Sequence, residues 1–548
     1  MSPAHRPSFP LLAGVLSALL VLAVVIAVGL RGLAGGSDGG NGSGSAADAE
    51  RSGRPRASGN GPQATSPPRQ EVRPSPRPRT IPAVREWEPA RGPGWEPDPG
   101  RQRVVADPDG PLADEARLLA EELELRTAAG PARTGDVELL LDEGVEGGSE
   151  AYALVVGEGS VTVRGSADAG VFYGTRTLLQ TLRDRGRLPE GTVSDRPDRP
   201  QRGLMLDIAR KHFDASWIEA RLREMADLKL NQLHLHLSDD QAFRVASESH
   251  PEIASDPHLT TGEVRRIVAL AESLHIEVVP EIDSPGHLGA VLDAHPQLRL
   301  RNAEGGAVPG AIDIADPRAA RLVDGLLEEC AELFPARHWH LGGDEYPALA
   351  ARDPAARYPG LLRAAQKRYG PEAGVRDLVT GWLNDRAATV RERNRIPQVW
   401  NDGMHTGGAA SPSEPREVAY WTGRETGARP PVAYLSEGWR LVNLNDEYLY
   451  YVLGEPQQFR YPTGERIYRE WTPAVLRGTG AVPERLAGPD RILGGRFAIW
   501  CDLAGAQTAE QVADGVRMPL RAVAQKLWDP GEPPLSWSGF RALADRVD

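Results

Sequence analysis

From Gln201 onward, short apolar runs alternate with longer stretches in which apolar residues recur every three to four positions. The runs are Gly203 to Ile208, Gln232 to Leu237, Glu277 to Ile282, Trp339 to Leu341, Gln398 to Trp400, Val418 to Trp421, Leu441 to Leu444 and Phe497 to Trp500. Their length and flanks predict buried strands, and the stretches Trp217 to Leu228, Thr261 to Leu274, Ala319 to Leu333 and Val375 to Arg393 predict amphipathic helices between them. Strand and helix alternating in this way imply a (β/α)8 TIM barrel over residues 199–548. Upstream, residues 101–198 read as a small α/β domain. It has a helical pattern at Leu112 to Arg126, alternation at Ala151 to Val156 and Val161 to Val163, and a further helix through Thr175 to Leu182.

The chain ahead of that unit has a different texture. Residues 32–100 are rich in Gly, Ser, Pro and Arg and too poor in apolar side chains to repay the entropy of ordering, which predicts a disordered linker and a solvated tether. Before it, Leu11 to Leu30 is an uncharged apolar stretch flanked by Arg6 and Arg31. A spanning helix needs about 20 apolar residues, and no small-residue cleavage site follows closely. Residues 1–31 are therefore expected to be an uncleaved signal anchor rather than a cleaved signal peptide. Either form carries the remainder out of the cytoplasm, anchored to the membrane through this segment or secreted.

Composition narrows the classes of function. The 548 residues are 40% hydrophobic and 25% charged with a formal net charge of -13, an acidic balance that argues against nucleic acid as a partner. Cys330 and Cys501 can form neither a disulfide framework nor a metal site by spacing, and no bridge is expected.

Polar residues gather where the predicted strands end, the place where barrels of this kind carry their chemistry. Strand one runs into Asp207 and Arg210, strand two into Ser238-Asp239-Asp240, and strand three into Glu281-Ile282-Asp283-Ser284-Pro285-Gly286-His287. Strand four ends in His340-Leu341-Gly342-Gly343-Asp344-Glu345, where paired glycines permit a tight turn and two adjacent carboxylates follow. Trp400-Asn401-Asp402, Tyr420-Trp421 and Trp500-Cys501-Asp502 end strands five, six and eight. Any one of these is explained by a helix cap or a packed tryptophan, but packing does not explain their recurrence at equivalent positions. Carboxylates and indoles at one barrel mouth suit a sugar, whose ring stacks on tryptophan and whose hydroxyls bond to carboxylates.

The motifs Arg202-Gly203-Leu204-Met205-Leu206-Asp207 with Arg210, His234-Leu235-His236-Leu237-Ser238-Asp239-Asp240-Gln241, Pro280 to His287 and His340 to Glu345 resemble glycoside hydrolase family 20, the β-N-acetylhexosaminidases. So does Gly170-Val171-Phe172-Tyr173-Gly174-Thr175-Arg176 in the smaller domain. The resemblance covers roughly Arg103 to Trp528. It implies removal of terminal β-linked GlcNAc or GalNAc with retention, the substrate's own 2-acetamido oxygen serving as nucleophile, which is an exception to the two-carboxylate scheme. It also implies no cofactor or metal.

Glu345 is then the general acid and later the base, Asp344 orients the acetamido group and meets the positive charge of the oxazolinium, and Tyr448 bonds the acetamido oxygen. Asp239 and His287 tune Glu345, Arg210 grips sugar hydroxyls, and Trp400, Trp421 and Trp500 wall the pocket. Two positions depart from the commonest pattern. Tyr450 stands where many members carry Asp or Asn two residues after the tyrosine, and Asp502 stands where they carry Glu. Both positions normally bind distal hydroxyls, so a substituted sugar, as in lacto-N-biosidase-like members, is the alternative substrate.

Two readings of other classes remain. His234 and His236, at i and i+2, share one strand face and with Asp239, His287 and Asp344 would suit a metal-dependent barrel hydrolase. The residues after them place the histidines below the strand's end, inside the barrel. A non-catalytic sugar-binding protein would keep the tryptophans but has no need of the Asp-Glu pair.

Overall fold

The computed structural model describes residues 74–423 and 428–548. The apolar stretch Leu11 to Leu30 and the first part of the expected linker lie outside them. Among the described residues no helix is long and apolar enough to cross a membrane.

The expected linker ends earlier than residue 100. From Pro74 the chain packs against the smaller domain, with Ile81, Val84 and Trp95 buried and strand Glu86–Pro89 paired antiparallel to Gly191–Asp195. Arg79 forms an ion pair with Asp184. The stretch is polar on average, yet it spaces enough apolar anchors between its arginines and prolines to hold its place.

The smaller domain is a seven-stranded mixed sheet ordered Glu86–Pro89, Gly191–Asp195, Tyr152–Gly157, Ser160–Gly165, Val137–Leu141, Arg103–Val105 and Arg126–Ala128. Helix Asp168–Arg185 lies on it so closely that a Cβ on Gly174 would meet Val163 at 2.4 Å. Polar contacts fix this domain to the barrel. Arg202, buried on the first barrel strand, makes a bidentate pair with Glu150 at 2.8 and 2.8 Å, and Lys229 reaches Thr177 at 2.7 Å and the Tyr152 hydroxyl at 2.8 Å. Removing one partner of such a buried pair costs about 3–5 kcal/mol, because the other charge is left without compensation.

The barrel strands are Gln201–Asp207, Gln232–His236, Glu277–Glu281, His338–His340, Ile396–Trp400, Glu417–Tyr420, Arg440–Asn443 and Ile492–Trp500, all parallel to their neighbours. Strand eight closes the ring by pairing with strand one at Gly494↔Gln201. The seventh strand is interrupted. After Asn443 the chain leaves the sheet and returns as Tyr450–Val452, which pairs with the far end of strand eight through Tyr450↔Ala498 and Val452↔Trp500. Capped helices fill the connections, for example Thr261–Ser273 with a capping box between Thr260 and Glu263.

The barrel interior is polar in its lower layer. Arg496 donates to Gln232 at 2.9 Å and Gln398 at 2.8 Å, and Gln201 and Gln398 both donate to Glu417 at 2.8 Å. Cys330 and Cys501 are buried and unbonded.

Candidate active site

The turn after strand four delivers the two adjacent carboxylates. Gly342 and Gly343 have φ of 66° and 100°, and a Cβ on Gly342 would sit 1.6 Å from Asp283 Oδ1, so only glycine fits. The Gly343 amide donates to Asp283 Oδ1 at 2.8 Å and the Glu345 amide to Asp402 Oδ2 at 3.1 Å. Glu345 itself has φ of 44°, a left-handed geometry that lets its side chain reach the same pocket as Asp344.

Asp344 is thereby flanked by two further carboxyls. Burial and the charge of Asp344 push Asp402 up to about 8 and Asp283 well above the usual carboxylate range. Desolvation against the pocket wall and the charge of Asp344 also raise Glu345, whose side chain is 59% exposed at the open mouth, the direction a proton donor needs. Asp344 lines the cavity, with its Oδ1 buried on the side where Asp283 stands.

His287 stands beside the pair, its Nε2 3.6 Å from Glu345 Oε2 and 3.8 Å from Asp344 Oδ2, with Nδ1 3.3 Å from Asp239 Oδ1. Burial works against its protonation, but Asp344 and Asp239 outweigh that and carry it up to about 10. Asp239 is also held by His236 at 2.9 Å and Arg210 at 2.7 Å. Arg210 pairs with Asp207 at 3.1 Å and lies over the Trp500 ring at 5.2 Å, lining the pocket together with Asp502.

Aromatic rings form the walls. Trp400 and Trp500 have centroids 5.9 Å apart, and Trp421 is stacked parallel on Tyr450 at 5.8 Å. Tyr450, rather than Tyr448, is the tyrosine in this pocket. Tyr448 precedes the returning strand, donates its hydroxyl to Glu470 at 3.2 Å and packs under Arg466. Side chains alternate along Tyr450–Val452, so Tyr450 and Val452 face the cavity while Tyr451 turns away to Gln507 at 3.1 Å. The distal position expected at Tyr450 consequently falls on Val452, an apolar residue. Tyr450→Phe is expected to lower kcat by about tenfold or more through loss of one charge-adjacent hydrogen bond, whereas Tyr448→Phe leaves kcat within about twofold. Steady-state kinetics on one 2-acetamido glycoside checks both, and equal losses would return the role to Tyr448.

All the other expected site residues, Asp344, Glu345, His287, Asp239, Arg210, Trp400, Trp421, Trp500 and Asp502, line this one cavity. His236, expected below the strand's end, is instead its last residue and lines this cavity, while His234 is fully buried beneath, 3.1 Å from Glu281, as its earlier place in the strand implied. Asp402 and Asp283 were visible in the sequence as residues at strand ends, yet nothing there separated them from helix caps. Gln457 and Phe459 also line the mouth, from a segment where Glu455, Gln457 and Gln458 all have positive φ. No periodic signal marks them.

Comparison with known proteins points to one family. The family model described as glycosyl hydrolase family 20, catalytic domain, matches residues 200–530, and that for glycosyl hydrolase family 20, domain 2, matches residues 77–196. A lacto-N-biosidase of Bifidobacterium bifidum is 30% identical over 481 residues, 86% of this chain and 42% of that protein. A beta-N-acetylhexosaminidase of Cellulomonas fimi is 30% identical over 306 residues, 52% of this chain and 60% of that one. The chain thus spans less than two thirds of either relative's length. Among solved structures, a mutant Streptomyces plicatus beta-hexosaminidase in complex with the product GlcNAc superposes with a TM-score of 0.69 at 26% identity, covering 87% of this chain and 95% of that one.

Proposed function

The chain belongs to glycoside hydrolase family 20, and we propose that it hydrolyses β-linked 2-acetamido sugars, GlcNAc or GalNAc, from the non-reducing ends of glycans with retention of configuration. The observation that carries this reading is the adjacent pair Asp344 and Glu345 lining one cavity walled by Trp400, Trp421 and Trp500. The Asp344 carboxylate accepts the acetamido N–H and so turns the acetamido oxygen toward the anomeric carbon. Glu345 protonates the departing glycosidic oxygen, the C1–O bond breaks as the acetamido oxygen bonds to C1, and Asp344 meets the positive charge of the oxazolinium. Water, deprotonated by Glu345, then opens the ring from the face the leaving group vacated.

A panel of chromogenic β-glycosides tests this. The 2-acetamido compounds are expected to be cleaved, and their 2-hydroxy counterparts to react slower by about three orders of magnitude or more, since they carry no internal nucleophile. Equal rates would require a nucleophile from the enzyme.

A second reading, in which the released unit is a disaccharide, is favoured by Val452. An isopropyl group offers no hydrogen bond to a distal hydroxyl, and Asp502 is one methylene shorter than glutamate. Both changes loosen the hold on an unsubstituted terminal sugar. The expected result is weak discrimination between GlcNAc and GalNAc glycosides, or acceptance of a lacto-N-biose glycoside. Val452→Asp with Asp502→Glu should then shift preference toward unsubstituted GlcNAc. A strong GlcNAc preference in wild type that the double substitution does not alter would remove these positions from specificity.

A further inference from the structure

Glu281 ends barrel strand three fully buried beneath the pocket, and each of its oxygens serves a different wall. Oε2 lies 2.6 Å from His236 Nδ1 and 3.1 Å from His234 Nε2. Oε1 accepts from the Trp400 indole N–H at 2.8 Å and lies 2.8 Å from His340 Nδ1. From Oε2 a row of alternating acids and imidazoles leads upward: His236 Nε2 to Asp239 Oδ2 at 2.9 Å, Asp239 Oδ1 to His287 Nδ1 at 3.3 Å, and His287 Nε2 to Glu345 Oε2 at 3.6 Å.

We propose that Glu281 is a positioning residue that sets two parts of the reaction at once, the acid/base Glu345 through His236, Asp239 and His287, and the acetamido wall through Trp400. The inference rests on the function proposed above. An imidazole held between two carboxylates, as His236 is between Glu281 and Asp239, donates on both sides only as the imidazolium. Burial opposes that charge, but Glu281 and Asp239 outweigh it and raise His236 to about 10. Reciprocally, burial would raise Glu281, yet the imidazoles of His340, His236 and His234 hold it well below the usual carboxylate range. Arg496 below and Asp283 beside it complete the charged groups facing Glu281. Those facing Glu345 are Asp344, His287, Arg210, Asp239 and Asp402.

A carboxamide cannot replace this carboxylate. Glu281→Gln turns an NH2 group, which accepts nothing, against either the Trp400 indole N–H or His236. It also removes the reason for His236 to stay charged. Of the two charges lost, the imidazolium is the nearer to Asp239 and Glu345, so the carboxylate form of Glu345 loses net support and its proton is held to higher pH.

The test is the pH dependence of kcat/KM on a 2-acetamido glycoside with a poor leaving group, measured on wild type, Glu281→Gln and His236→Asn, with Tm recorded for each. Glu281→Gln is expected to raise KM, lower kcat by about tenfold or more and move the high-pH limb upward by about half a pH unit or more. His236→Asn, which leaves Trp400 held, should lower kcat and move the limb in the same direction while KM stays near the wild-type value. Should Glu281→Gln not fold, the limb of His236→Asn decides alone. Limbs left in place, with rates falling only as far as Tm does, would reduce Glu281 to a structural role and overturn the inference. Loss of wild-type activity on chelation, restored by zinc, would also overturn it by making Glu281, His234 and His340 a ligand set. Wild type inactive on 2-acetamido glycosides would sink the proposed function itself, whereas active wild type with unmoved limbs sinks only this inference.

Discussion

Asp344→Asn is expected to lower kcat on 2-acetamido glycosides by about 10²–10³-fold, the range for removing one preorganised electrostatic contact to a charge that develops in the transition state. The neighbours explain why nothing takes over. Burial and Asp344 together drive Asp283 and Asp402 toward their neutral forms. In the variant the charge of Asp344 is gone but burial, the larger cause, remains, so one of the two would still have to lose its proton in a desolvated pocket to balance the oxazolinium. The asparagine amide is nearly the same size as the carboxylate, so the pocket keeps its shape and KM should change little. Measuring kcat and KM for the 4-nitrophenyl 2-acetamido glycoside checks the expectation. A loss below about tenfold would mean that Asp344 does not face the developing charge.

Glu345→Gln is expected to divide substrates by their leaving group. For alkyl or sugar aglycones the loss should be about 10²–10⁴-fold, the range for general acid catalysis, while a dinitrophenyl glycoside, whose phenolate needs no proton to depart, should lose far less in its glycosylation step. The sign of the pH dependence follows from the raised pKa of Glu345, which burial and Asp344 produce. The acid is active when protonated, so kcat/KM for poor leaving groups is full below that pKa and falls as pH rises through it. In the glutamine variant this high-pH limb should disappear. A uniform loss across leaving groups, with the limb intact, would place the proton donor elsewhere.

The barrel was legible in the chain because each strand is a short apolar run bounded by polar residues, and the strand ends therefore pointed to the cavity before any geometry was known. Asp344 and Glu345 were legible for a sharper reason, since two consecutive glycines at the end of an apolar run permit a tight turn just before the carboxylate pair, and both glycines do have positive φ. The tyrosine was not. Tyr448, Tyr450 and Tyr451 lie within four positions, and which of them faces the cavity depends on where the returning half of strand seven begins to alternate. Glu281 stood in a motif already singled out, but its two-sided role depends on the distance across the barrel to Trp400, which no spacing along the chain encodes. The ordered part of the expected linker was hidden by averaging, as a few buried side chains such as Ile81 and Val84 decide its placement against a polar majority.

The break in the seventh strand separates two kinds of heritable change. Asp344, Glu345, His287, Asp239 and Trp400 hang on strands two to five, whose register is locked by buried neighbours on both faces, so drift there is paid in lost catalysis. Tyr450, Val452, Gln457 and Phe459 sit on a detour whose short strand pairs with the far end of strand eight and whose Tyr450 ring stacks on Trp421. Insertions on either side of that pairing lengthen a loop without shifting any strand of the ring. Such a chain can explore which glycan it trims while its bond-breaking apparatus stands still.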